Sequence, residues 1–232
     1  MIRVFIGFDT NEEIAYHVLC ASILRRTTSP VQFFPVALNS LKEIFNRERV
    51  KLQSTEFSFS RFLVPYLSQY EGWSIFMDCD MLVLDDLTKL WEMRDERYAV
   101  MCVKHEHTPK TDVKFCNQIQ TSYERKNWSS VMLMNNAKCK ALTPEYVESA
   151  SGLDLHRFRW LENDDIGALP RRWNHLVDYD PELPLGSISN LHFTEGGPYF
   201  SDYKECGYAD VWREEFSRTI NPLNARILND KP

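Results

Sequence analysis

No stretch of this chain approaches the roughly 18 consecutive apolar residues of a membrane-spanning helix. The first apolar run, Val4 to Phe8, is too short for the core of a secretory signal and runs into Asp9, Asn11, Glu12 and Glu13. The expectation is a chain without a transmembrane segment, acting in the cytoplasm. Paired cysteines are also lacking: Cys20, Cys79, Cys102, Cys116, Cys139 and Cys206 are scattered, with no CxxC spacing. That argues against a zinc ribbon or a disulfide framework and for buried thiols in a reducing compartment. A basic surplus is missing too, since 27 Lys and Arg face 33 Asp and Glu, giving a net charge of −6. Nucleic acid is therefore not the expected partner. With no internal repeat, low-complexity tract or linker, one domain over residues 1–232 is expected, and 200–232 is its least assignable part.

What is present is enough apolar sequence for a sizeable core, 44% of 232 residues. Buried strands are expected at 2–9, 31–38, 73–84, 98–103, 129–136 and 190–193, with Pro35 marking an edge or an irregularity. Helices are expected at 11–26, with acids first and arginines last, at 85–93, and at 143–150 with Pro144 in the first turn. Residues 57–70 read as a helix kinked at Pro65, and 161–170 as a short helix stopped by Pro170. Strands alternating with helices imply an α/β fold with a mostly parallel sheet and helices on both faces. In such sheets ligands bind at the carboxyl ends of strands, where Asp9, Asp78 and Asp80 fall.

The stretch IFMDCDML, residues 75–82, sets two carboxylates on the exit of a run that should be buried. On an extended chain, residues i and i+2 point the same way, so Asp78 and Asp80 would face one site. Two carboxylates that close repel unless a cation lies near, and a hard divalent ion, Mg²⁺ or Mn²⁺, carrying a diphosphate answers that need. The plainer alternative is a strand end that caps the helix after Asp85 and Asp86. Downstream, His192 precedes Gly196 and Gly197; imidazole suits Mn²⁺ as a third ligand, and the glycines would let backbone N–H groups approach a phosphate.

GFDTNE, SFSRFLVPYL, IFMDCDMLVLDDL, NWSSVMLMN, NDDIGALP and LHFTEGGP occur in the order that resembles GT-A glycosyltransferases, the family 8-like group above all. The resemblance spans about residues 2–200 and implies a GT-A fold and a hexosyltransferase. Such an enzyme moves a sugar from a nucleotide diphosphate donor, UDP in the first instance, to a carbohydrate or other hydroxyl, with retention. It further implies Asp78, Asp80 and His192 as Mn²⁺ ligands, Asp9 and Asn11 beside the base and ribose, and Arg61 against the donor. Asp164 of the NDD triplet would face the sugar and stabilise its cationic form. Two positions depart from the family's pattern: Trp128-Ser129-Ser130 replaces an Asn-Ala-Gly-like turn, and no lysine follows His192 until Lys204. A degenerate nucleotide-sugar-binding protein, a nucleotidyltransferase and an Asp-x-Asp phosphatase stay open as alternatives.

Overall fold

The structure, a computed structural model, describes residues 1–47, 55–105, 113–114, 118–119 and 125–221; Cys116 and most of the polar stretch 104–126 fall outside them. Its centre is a six-stranded sheet in the order β2-β1-β3-β8-β5-β9. The strands are β1 (Ile2–Gly7), β2 (Val31–Val36), β3 (Trp73–Met77), β5 (Val100–Cys102), β8 (Val131–Asn135) and β9 (Ile166–Ala168). Only β8 runs against the others. A smaller sheet orders β10 (His175–Leu176), β11 (Asn190–His192) and β4 (Met81–Val83), and β6 (Val113–Lys114) pairs with β7 (Gln118–Ile119). Around these lie α1 (Glu13–Arg26), α2 (Val64–Leu67), α3 (Leu87–Glu92), α4 (Pro144–Ser149), α5 (Gly152–His156) and α6 (Ala209–Ile220). Among the described residues no helix is long and apolar enough to cross a membrane.

Each main element follows from its sequence. β1 and β3 are largely apolar, interrupted only by Arg3 and Ser74, and sit inside the sheet, buried almost throughout. β2 carries Pro35 and takes an edge, where a missing N–H costs no ladder bond. Helix α1 has Glu13 in its first turn and Arg25 and Arg26 in its last. Both arginines grip the buried Glu215 of α6, at 2.5 Å and 2.7 Å, and so dock the C-terminal helix that the sequence left unassigned. Ser22 of α1 accepts a hydrogen bond from the N–H of Val83 at 3.2 Å, tying the helix to the small sheet.

Three expectations give way. The run 73–84 is not one strand: the chain bends at Cys79 and Asp80, so β3 belongs to the large sheet and β4 to the small one. The bend is held on both sides, because the Asp78 N–H donates to Ser130 and the Phe193 N–H donates to the Asp80 carbonyl. The kinked helix over 57–70 is a 3₁₀ turn, Ser60–Leu63, followed by α2, with Pro65 in the first turn of α2. There the N–H that proline lacks would have no partner anyway, so no kink is needed. Residues 161–170 form a 3₁₀ turn, Asn163–Asp165, and then strand β9 rather than a helix. Gly167 lies against Tyr98 and Met101, with no space for a side chain, which lets β9 lie flat beside β5.

Candidate functional site

The bend between β3 and β4 carries Asp78 and Asp80 into the seam between the two sheets. His192, the last residue of β11, faces them because β11 pairs with β4, with His192 opposite Met81. Its Nε2 lies 3.4 Å from Asp80 Oδ1 and 3.9 Å from Asp78 Oδ2, and its Nδ1 is 2.8 Å from Asn174 Oδ1. One ligand atom from each of Asp78, Asp80 and His192 lies within 4.8 Å of the others. Arg61, 5% exposed, reaches Asp78 at 2.7 Å and donates to the Ser129 carbonyl at 3.1 Å. Its approach to Asp78 is an ion pair rather than an aligned hydrogen bond, and its Nε has no hydrogen-bond partner. The rings of Phe57 and Phe76 stand 5.1 Å and 5.2 Å from the guanidinium.

A third carboxylate joins this group, and sequence reasoning missed it. Glu12, 1% exposed, accepts a hydrogen bond from the Tyr199 hydroxyl at 2.6 Å, while its Oε1 has no hydrogen-bond partner. Burial drives the Glu12 carboxyl well above its ordinary range; Asp80, Asp9 and Asp78 push the same way, against the Tyr199 hydrogen bond. Asp78 is raised as well, by burial first; Arg61 opposes that and Asp80 adds to it. The thiol of Cys79 is raised by burial and by the surrounding carboxylates. The signal for Glu12 was available: the buried stripe Ala15, Leu19 and Ile23 of α1, traced one turn back, passes through it.

These shifts fix a pH dependence. A carboxyl whose folded pKa is raised contributes stability that is full below its unfolded pKa and is lost as pH rises through the folded value. The metal-free protein should therefore melt at progressively lower temperature as pH rises above the ordinary carboxylate range. Glu12→Gln, which imitates the neutral form, should flatten that slope. Melting curves across pH check this, and an unchanged slope in the variant would refute it.

The other expected residues divide. Asp9 is fully buried, with Oδ1 accepting from the Asn11 N–H and side chain and Oδ2 from the Glu56 N–H. It therefore shapes the loop after β1, where Thr10 and Asn11 are exposed beside a cleft of about 480 Å³ lined by Phe8, Thr10, Asn39, Lys42 and Arg47. Gly196 and Gly197 lie in the turn after His192, but the Gly196 N–H already donates to Phe193 at 2.9 Å. What the turn needs from these glycines is space, since a Cβ would collide with the ring of Tyr203 at Gly196 and of Tyr199 at Gly197. Asp164 does not join the site. β3 and β5 both run against β8, and β5 runs with β9, so Ile166 lies level with Ser74 at the amino end of β3. Asp164, exposed just before β9, stands three strands across and at the opposite end of the sheet from Asp78, on the order of 20 Å away. The reason is the strand that replaced the expected helix.

The residues fit a divalent ion. Two carboxylates and an imidazole converge at ligand spacing, and their crowding is the state that a cation relieves. Oxygen and imidazole donors without thiolate suit Mn²⁺ or Mg²⁺.

A mainly parallel sheet carrying this constellation at its carboxyl edge defines a GT-A fold. The same fold is found in the bifunctional glycosyltransferase WbbM, with a TM-score of 0.66 at 15% identity over 96% of this chain and 50% of that one. It also occurs in the glycosyltransferase GlyE of Streptococcus pneumoniae TIGR4, at 0.62 and 16% over 97% and 63%. The galactosyltransferase LgtC, solved with donor and acceptor sugar analogues, matches at 0.59 and 13% over 93% and 95%. The chain thus spans half of the first structure and under two thirds of the second. Residues 14–141 match glycosyl transferase family 8, and the chain belongs to that family. A curated relative, Protein CDI of Arabidopsis thaliana, is 44% identical over 220 residues, 92% of this chain and 85% of the relative.

Proposed function

We propose that the chain transfers a sugar from a nucleoside diphosphate donor, UDP-sugar in the first instance, to a hydroxyl of a carbohydrate or other acceptor, with retention. The observation that carries this reading is the convergence of Asp78, Asp80 and His192 in the seam between the sheets of a family 8 chain. These three residues hold Mn²⁺ or Mg²⁺, which when bound neutralises charge growing on the departing diphosphate. Arg61 adds a permanent cation with an unpartnered Nε beside Asp78, and the exposed Thr10 and Asn11 line the approach for the nucleoside. Asp164 receives no part at the sugar.

The test is incubation with Mn²⁺ and a panel of nucleotide sugars, with and without hydroxyl acceptors, reading free nucleoside diphosphate. Metal-dependent release is the expected result. The loop Glu195-Gly196-Gly197-Pro198, with no cation before Lys204, favours a second reading, a nucleotide-sugar-binding protein without transfer. Mn²⁺-dependent thermal stabilisation by a nucleotide sugar, without release, would establish that reading instead. Release of inorganic phosphate would point to a phosphatase, and of pyrophosphate to a nucleotidyltransferase.

A further inference from the structure

We propose that Asn174 and the turn Asn127–Ser130 form one positioning frame for the site, in which Asn174 sets the tautomer of His192. The inference rests on the metal-site reading above and assigns work to residues outside the ligand set. Asn174 is fully buried and His192 is 2% exposed, so water does not decide their hydrogen bonds. The Asn174 amide nitrogen donates to the Asn127 carbonyl at 3.2 Å. That bond fixes which end of the amide is which, so the oxygen is the end that faces His192 Nδ1 at 2.8 Å. An amide oxygen only accepts, so Nδ1 must carry the proton. In the neutral ring Nε2 then presents a lone pair to Asp78 and Asp80, the state a metal ion requires. A histidine with the opposite tautomer would present N–H there and exclude the ion.

The same short turn holds two further members of the site. The Ser129 carbonyl accepts from Arg61 at 3.1 Å, and the Ser130 carbonyl accepts from the Asp78 N–H at 3.0 Å. Asn127 has a positive φ of 63°, a conformation asparagine tolerates better than most residues. Three carbonyls within four residues thus set the orientation of His192 through Asn174, the height of Arg61 and the backbone of Asp78. Trp128-Ser129-Ser130, which departs from the family's usual sequence, is in this chain a backbone scaffold.

The experiment compares the full chain with Asn174→Ala and Asn174→Asp. Long-range ¹H–¹⁵N correlation on the metal-free protein, at a pH where the ring is neutral, reads the His192 tautomer, assigned by its loss in His192→Gln. Calorimetry with Mn²⁺ alone reads affinity. The wild type should show the Nδ1–H tautomer. Asn174→Ala should lose that preference and weaken Mn²⁺ binding about 10- to 100-fold. Asn174→Asp, whose carboxylate also accepts from Nδ1–H but cannot donate to the Asn127 carbonyl, should restore the tautomer. An Nε2–H tautomer in the wild type overturns the proposal even where the alanine variant does not fold. So does unchanged Mn²⁺ affinity in Asn174→Ala, or a lost tautomer preference that Asn174→Asp fails to restore. An Nδ1–H wild type that binds Mn²⁺ but releases no nucleoside diphosphate would refute the transferase reading and leave the frame standing.

Discussion

Replacing Asp80 with alanine should abolish Mn²⁺-dependent donor binding and transfer while leaving the metal-free protein at least as stable as the wild type. The two halves of this result have one cause. In the metal-free chain Asp80 raises the pKa of both Glu12 and Asp78, which means that its charge opposes theirs. Removing it relieves that repulsion. The backbone bond that holds the bend, from Phe193 N–H to the Asp80 carbonyl, does not depend on the side chain. With metal present the sign reverses, because the variant has lost one of three converging ligands. Wild type should gain thermal stability on adding Mn²⁺ and a nucleotide sugar, by about 2.7 kcal/mol at a hundredfold excess over Kd. The variant should gain nothing. Calorimetric titration together with melting curves checks both halves. Unchanged metal-dependent donor affinity would remove Asp80 from the ligand set, and a large drop in metal-free stability would make it a structural residue instead.

What could be read from the sequence, and what could not, follows from the range of the interactions involved. Local patterns were legible: the apolar runs of β1 and β8, the acid-to-base polarity of α1, and Pro35 on an edge. The acidic pair stood out because charges inside an apolar run need a reason. The bend between them did not, because it is imposed by pairing of β4 with β11, more than a hundred residues away. Glu12 looked like one more solvated acid at a helix start, although the buried stripe of α1 runs through it. Asn174 carried no local signal at all, since its role exists only where Asn127 and His192 meet it. Asp164 was misplaced for a related reason. The sequence of β9 is three residues long, and only its ladder with β5 decides between strand and helix.

Arg61→Lys should lose most of the transfer activity, on the order of a hundredfold in kcat/KM, although the charge is conserved. Arg61 lies almost wholly buried in the 3₁₀ turn before α2, beside the rings of Phe57 and Phe76. An isolated cation there would be very costly, so it must be matched, and Asp78 at 2.7 Å together with the Ser129 carbonyl at 3.1 Å supplies the match. Both contacts are made by one guanidinium nitrogen, Nη1, at the far end of the side chain, and the shorter lysine does not bring its ammonium to that position. Nor can it present the Nε–H, a buried group with no hydrogen-bond partner. Losing one charge-assisted hydrogen bond is worth about 1.5–3 kcal/mol, which is the scale of the expected hundredfold. Arg61→Ala should go further and destabilise the fold by about 3–5 kcal/mol, because it leaves Asp78 buried without its counter-charge. The lysine variant therefore separates geometry from charge, while the alanine variant reports on charge. Steady-state kinetics beside melting curves decide the matter. Full activity in Arg61→Lys would show that only a positive charge is required at Asp78, and an unperturbed melting temperature in Arg61→Ala would show that the ion pair does not hold the site together.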